Sequence, residues 1–187
     1  MKTYNQNDID MILNNQKLQK AITKYEYLIN HINQIDDIYI KTFCSLFNMR
    51  QHSFSKAPSN FNYKHFIDKY FNYFRQICND PSITFEDVFN TVSGFSYRDE
   101  LSFSSKMFHL LKPEYPIWDS ILRNKDHFNT IRKDGTKLDQ YYDYKDKFDK
   151  YINSAQGKLI IDRFNCKFGN CNISNTKKID FVLWQDR

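Results

Sequence analysis

Residues Asp99–Arg123 read DELSFSSKMFHLLKPEYPIWDSILR, and the reading of this stretch decides the fold. At about 100° per residue, Phe103, Met107, Leu110 and Leu111 fall on one side, which is the pattern of an amphipathic helix over about Asp99–Leu111. Its two leading acidic residues stand where the helix dipole favours them. Pro113 and Pro116 end it, since proline has no N–H to donate and clashes with the preceding turn. Asp119 and Ser120 then sit where the chain restarts, so a further helix is expected from Trp118 or Asp119 to about Lys125.

On the N-terminal side, residues 7–33 carry Ile9, Ile12, Leu13, Leu18, Ala21, Ile22, Tyr25, Leu28, Ile29 and Ile32 at helical spacing with some phase drift and predict one long amphipathic helix capped by Asn7 or Asp8. A second helix is expected over about Asp36–Met49, followed by a loop over Arg50–Asn60. A third, about Asn62–Asn79, carries an aromatic stripe of Phe66, Tyr70, Tyr73, Phe74 and Ile77. Interleaved Lys64, His65, Lys69 and Arg75 would suit base stacking, but spacing near 3.6 residues assigns the stripe to the core. Thr84 and Asp87 form a capping box for a helix over about Phe85–Val92, with Gly94 as its C′ residue.

On the C-terminal side, helices are expected over Leu138–Ile152, Lys158–Phe164 and Lys177–Trp184. The last of these also reads as a short buried strand. The expectation is therefore an all-α fold: one domain over 1–187 of about eight helices with an N-terminal amphipathic helix. A helical pair over 1–50 precedes a core over 60–187, with 99–123 at its centre.

Composition agrees. Hydrophobic residues make up 41% of the 187, and aromatic residues 17%, which argues against disorder. Only four Gly and four Pro are present, too few for a turn-dense all-β fold. The net charge of +5 suits an anionic partner without requiring one. No apolar leader or membrane-length run is seen, so a cytoplasmic protein with reduced thiols is expected. Cys44 and Cys78 fall on apolar helix faces. Cys166 and Cys171 lack the two further ligands a zinc site needs, and the five histidines have no metal-binding spacing, so no metal and no cofactor are expected.

Lys106 borders the apolar face of the central helix. A lysine held against apolar surface is disfavoured as an ammonium and becomes a candidate nucleophile; lying along the surface with its amine in water is the structural alternative. Asp119 follows thirteen residues later as a helix cap or as a base aimed at a lysine. His109, three after Lys106, reads as a relay or as a packed histidine.

The run Lys106, apolar helix, Pro116-Ile117-Trp118-Asp119-Ser120-Ile121-Leu122-Arg123 resembles the active-site segment of the helix-hairpin-helix DNA glycosylase superfamily, in its 8-oxoguanine-glycosylase-like branch. The resemblance covers about 25 residues. It implies base excision with Lys106 as amine nucleophile and Asp119 as its activator. Ser104, Ser105, Lys112 and Arg123 would be phosphate contacts, with His109 and Trp118 near a pocket for an extruded base. Where that family carries Gly-x-Gly before the lysine, this chain has Ser102-Phe103-Ser104-Ser105. The chain also resembles small bacterial proteins of no assigned activity that share Phe-Ser-Ser-Lys, Pro-Ile-Trp-Asp and a terminal Lys-Lys-Ile-Asp-Phe-x-Leu-Trp. The alternative expectation is a non-catalytic helical module of a bacterial defence or restriction locus that binds protein or nucleic acid. In that module Asp119 caps a helix and pairs with Arg123.

Overall fold

The structure, a computed structural model, describes residues 3–49, 61–96, 98–120, 122, 128, 135–169 and 171–185. Among these residues it is all-α, with nine helices: α1 Gln6–Leu13, α2 Gln16–Asn30, α3 Asp37–Leu46, α4 Tyr63–Ile77, α5 Phe85–Ser96, α6 Leu101–Leu111, α7 Lys137–Asn153, α8 Ala155–Phe168 and α9 Asn175–Gln185. The chain divides into two compact units, unit 1 being Met1–Ile22 with Lys112–Arg187 and unit 2 being Thr23–Leu111. This differs from the expected single core over 60–187. The boundary between Leu111 and Lys112 cuts the stretch expected at its centre, because the prolines after α6 end one packing unit as well as one helix.

Local chemistry explains most of the elements. The single helix expected over 7–33 is two. Asn5 caps α1 in a reciprocal box with Asp8, and the chain breaks at Asn14 and Asn15, where the Asn15 side chain accepts the N–H of Lys17. Asparagine competes for backbone bonds and favours such breaks. Thr84 and Asp87 form the expected box at α5, but α5 runs through Gly94 to Ser96. Thr136 and Asp139 form a third box at α7. The loop expected over 50–60 and most of the helix expected over 119–125 lie outside the described residues; Asp119 itself is in no helix.

In unit 2 the core is aromatic. The α4 stripe is buried at Phe66, Tyr70, Phe74 and Ile77, with Phe71 added, as its period required. Phe43 of α3 meets the edges of Tyr70, Phe71 and Phe74, and Phe66 meets Phe103 of α6 at 5.2 Å and 81°. Edge-to-face pairs of this kind add about 0.5–1.5 kcal/mol beyond burial. The α5 helix packs on both α4 and α6.

In unit 1, α9 is packed by α1, α7 and α8, and eight consecutive residues, Thr176–Leu183, are buried. That surrounded position settles the choice between helix and strand in favour of helix. The α1 helix is fastened to α8 by a two-pronged Arg163–Asp10 pair and by the Gln156 amide, which bonds both backbone groups of Tyr4.

Candidate functional site

Two segments carry the residues singled out in the sequence, one in each unit. In unit 2, α6 is buried almost all round; only Ser102, Lys106 and Leu111 are half-exposed. Ser102 and Lys106 are one turn apart, and the Lys106 Nζ donates to Ser102 Oγ at 2.6 Å and lies 5.3 Å from the centroid of the Phe103 ring. The amine is thus held by a hydroxyl and an aromatic face.

Ser104 and Ser105 are fully buried. Their hydroxyls bond to helix carbonyls, Ser104 to Glu100 and Ser105 to Ser102. The expected phosphate-contact role is therefore corrected to back-bonding inside a buried helix. His109 is fully buried with its Nε2 3.0 Å from the Tyr25 hydroxyl, so it is a packed histidine. Tyr70, whose hydroxyl burial keeps protonated, donates to the Phe103 carbonyl at 2.8 Å. At the start of α6 the Glu100 carboxyl is buried, with one oxygen lacking a hydrogen bond and 3.7 Å from Arg98 Nε. Burial raises its pKa, outweighing Arg98.

In unit 1, the Pro-Glu-Tyr-Pro-Ile-Trp segment forms neither helix nor strand, so its carbonyls need other donors. Side-chain hydroxyls supply them. Ser174 donates to the Pro113 carbonyl, Thr176 to Glu114, Tyr141 to Pro116 and Tyr144 to Ile117, at 2.7–3.3 Å. Two of these donors open α9 and two lie on α7. Each such bond contributes roughly 1 kcal/mol net. Burial keeps the Tyr141 phenol protonated and so a donor.

The Trp118 ring is buried against Tyr141 and stands edge-on to Tyr144 at 5.4 Å. The expected base-pocket tryptophan is thus a core residue. Asp119 follows it, half-buried, at the end of the clamped segment, and Lys112 precedes the segment, half-buried. Arg123 lies outside the described residues. Lys106 belongs to unit 2 and Asp119 to unit 1.

Sequence reasoning missed the other polar core of unit 1. Lys177, Lys178 and Asp180 of α9 are all buried. Lys177 Nζ meets Asp180 Oδ2 at 2.5 Å and lies over the Phe181 ring at 4.4 Å. The i,i+3 spacing of Lys177 and Asp180 was visible; that the whole helix is surrounded was not.

All four cysteines are free thiols. Cys44 and Cys78 are half-buried rather than core, and burial pushes Cys44 up to about 11. Among the described residues no group of three or more His, Cys, Asp or Glu could hold a metal ion, and no helix is long and apolar enough to cross a membrane. No protein-family model, curated protein or solved structure matches the chain.

Proposed function

We propose that the chain is a helical DNA-binding protein and that unit 1 carries the binding surface. The observation behind this is the division of charge. Unit 2 holds nine Lys and Arg against nine Asp and Glu, whereas unit 1 holds eighteen against thirteen, so the entire excess of five falls in unit 1. Charge asymmetry between parts of a chain points to a polyanionic partner. The packing roles of His109 and Trp118 take two residues out of the expected base pocket, which supports binding over base excision.

Fluorescence anisotropy with duplex DNA over rising salt tests the proposal. The logarithm of affinity is expected to fall linearly with the logarithm of salt, by about 0.9 per phosphate contacted. Replacing the exposed Lys17, Lys20 and Lys158 of unit 1 with Ala weakens binding, while the same change at the exposed Lys41 and Lys64 of unit 2 does not. Equal losses from both sets, or no binding at low salt, defeat it.

The second reading adds glycosylase and lyase chemistry at the Lys106 amine, which Ser102 and Phe103 hold in one position and which must lose its proton to react. In that reading the neutral amine attacks C1′ of deoxyribose and the C1′–N bond breaks. The base leaves with the bond pair and one amine proton; the C1′–O4′ bond of the resulting aminal then opens, O4′ takes the second amine proton, and the amine is left as a C1′ imine. Borohydride added to protein on uracil, 8-oxoguanine or abasic duplexes would then trap an adduct that Lys106→Gln abolishes. Absence of any adduct leaves the binding function alone.

A further inference from the structure

We infer that one face of α2 is a track for single-stranded DNA, with lysines along it for the phosphates and a stacked Tyr27–His31 pair at its end for a base. The track belongs to the DNA-binding surface and rests on that reading. The α2 helix is unbroken over Gln16–Asn30, and the His31 N–H extends its bonding by donating to the Tyr27 carbonyl at 3.1 Å. Lys17, Lys20, Lys24, Tyr27 and His31 recur every three or four residues, so at about 100° per residue they fall within an arc of about 80°. The buried Leu18, Ile22 and Tyr25 face the other way. Glu26, the only acidic residue of α2, lies outside the arc.

Lys17 and Lys20 are exposed, and Lys24, Tyr27 and His31 are half-buried. Among the described residues Lys145, Lys147, Arg163 and Lys177 each pair with an aspartate, whereas Lys17, Lys20 and Lys24 pair with none. Lys24 is held by Ser45 Oγ, to which its amine donates at 2.7 Å. Three uncompensated cations along about 10 Å of helix complement a run of phosphates. The Tyr27 and His31 rings stack at 4.3 Å and 21°, and among the described residues neither makes a further ring contact. The His31 Nδ1 lies 2.9 Å from the Tyr27 carbonyl, which fixes the imidazole on the phenol. Such a pair can take a third ring, and every base has a face that stacks on an aromatic side chain. In a duplex those faces are covered by neighbouring base pairs, so lysines followed by an aromatic stack select an unpaired strand.

Fluorescence anisotropy compares three probes of equal length: oligothymidylate, a strand with abasic sites throughout, and a duplex. Wild type is expected to bind oligothymidylate most tightly. Tyr27→Leu is expected to weaken that binding by roughly 5–150-fold, the worth of one stacked base, and to leave the abasic strand unchanged. Lys20→Ala is expected to weaken both single strands and to reduce the slope of log affinity against log salt by about 0.7.

A duplex bound as tightly as oligothymidylate, or a Tyr27→Leu variant that treats oligothymidylate and the abasic strand alike, overturns the track and leaves DNA binding standing. No binding of any probe at low salt overturns both. Should Tyr27→Leu not fold, ultraviolet cross-linking of wild type to a bromouracil-substituted strand decides alone. An adduct that mass spectrometry maps to Tyr27 or His31 supports the stack, and adducts confined to other residues overturn it.

Discussion

Tyr144→Phe isolates one contact of the carbonyl clamp. The phenol donates to the Ile117 carbonyl at 3.0 Å, and both residues are buried. Phenylalanine keeps the ring, and with it the contacts to Trp118, Phe128 and Phe148 at 5.4, 5.5 and 5.8 Å. The apolar transfer energy therefore hardly changes. What is lost is one hydrogen bond, and what is left is a buried carbonyl without a donor, together about 1–3 kcal/mol. For a chain of 187 residues that lowers the melting temperature by roughly 2–12 °C.

Urea unfolding followed by tryptophan fluorescence measures it. Tyr142→Phe, at a side chain 41% exposed, is the control and stays within about 0.5 kcal/mol of wild type. Adding Tyr141→Phe frees the neighbouring Pro116 carbonyl, and the double loss is expected to be less than the sum, since a segment already released at one carbonyl relaxes at the next. If Tyr144→Phe matches wild type within the spread of the control, the clamp does not hold this segment.

Two further predictions concern stability. Burial raises the pKa of Glu100 above its ordinary 4.5, so the folded state holds a proton that the unfolded chain releases. The favourable contribution of this carboxyl is full below about pH 4.5 and is lost as pH rises through the folded value. Glu100→Gln should thus melt higher than wild type at pH 7 and lose that advantage toward pH 4.5; an equal difference at both pH values refutes the burial argument. At the α7–α8 junction a Cβ on Gly157 would lie 2.1 Å from the Tyr151 carbonyl oxygen and 2.8 Å from that of Ile152. Gly157→Ala should cost about 1–3 kcal/mol or more by calorimetry. Gly94→Ala, inside α5 with nothing within 4 Å, should gain about 0.5–1 kcal/mol.

What could be read in the sequence was local. The α4 stripe, the Thr84–Asp87 box and the extent of α6 follow from period and capping chemistry, and the structure contains them. The break at Asn14 and Asn15 was hidden because apolar spacing continues across it. The roles of Ser104, Ser105 and His109 depend on what surrounds α6, and Tyr25 lies 84 positions from His109. The hydroxyls that hold 113–117 come from 25–62 residues away. Their residue types were visible, but the direction of a phenol or a serine hydroxyl is set by tertiary packing. Buried lysines in α9 read as surface residues by every compositional rule.

The fastening of α1 to α8 has a consequence for synthesis. Tyr4 and Gln156 stand 152 positions apart. At about 5–20 residues per second, a ribosome adds the second roughly 8–30 s after the first. Unit 2 is one unbroken run and is fully translated before that moment. Ile9 and Leu13 of α1 are buried in the finished protein, where α1 packs on α8 and α9. The α1 helix is made well before α8 and α9, the helices it packs on, and over that interval its apolar side is open to chaperones or to a neighbouring nascent chain.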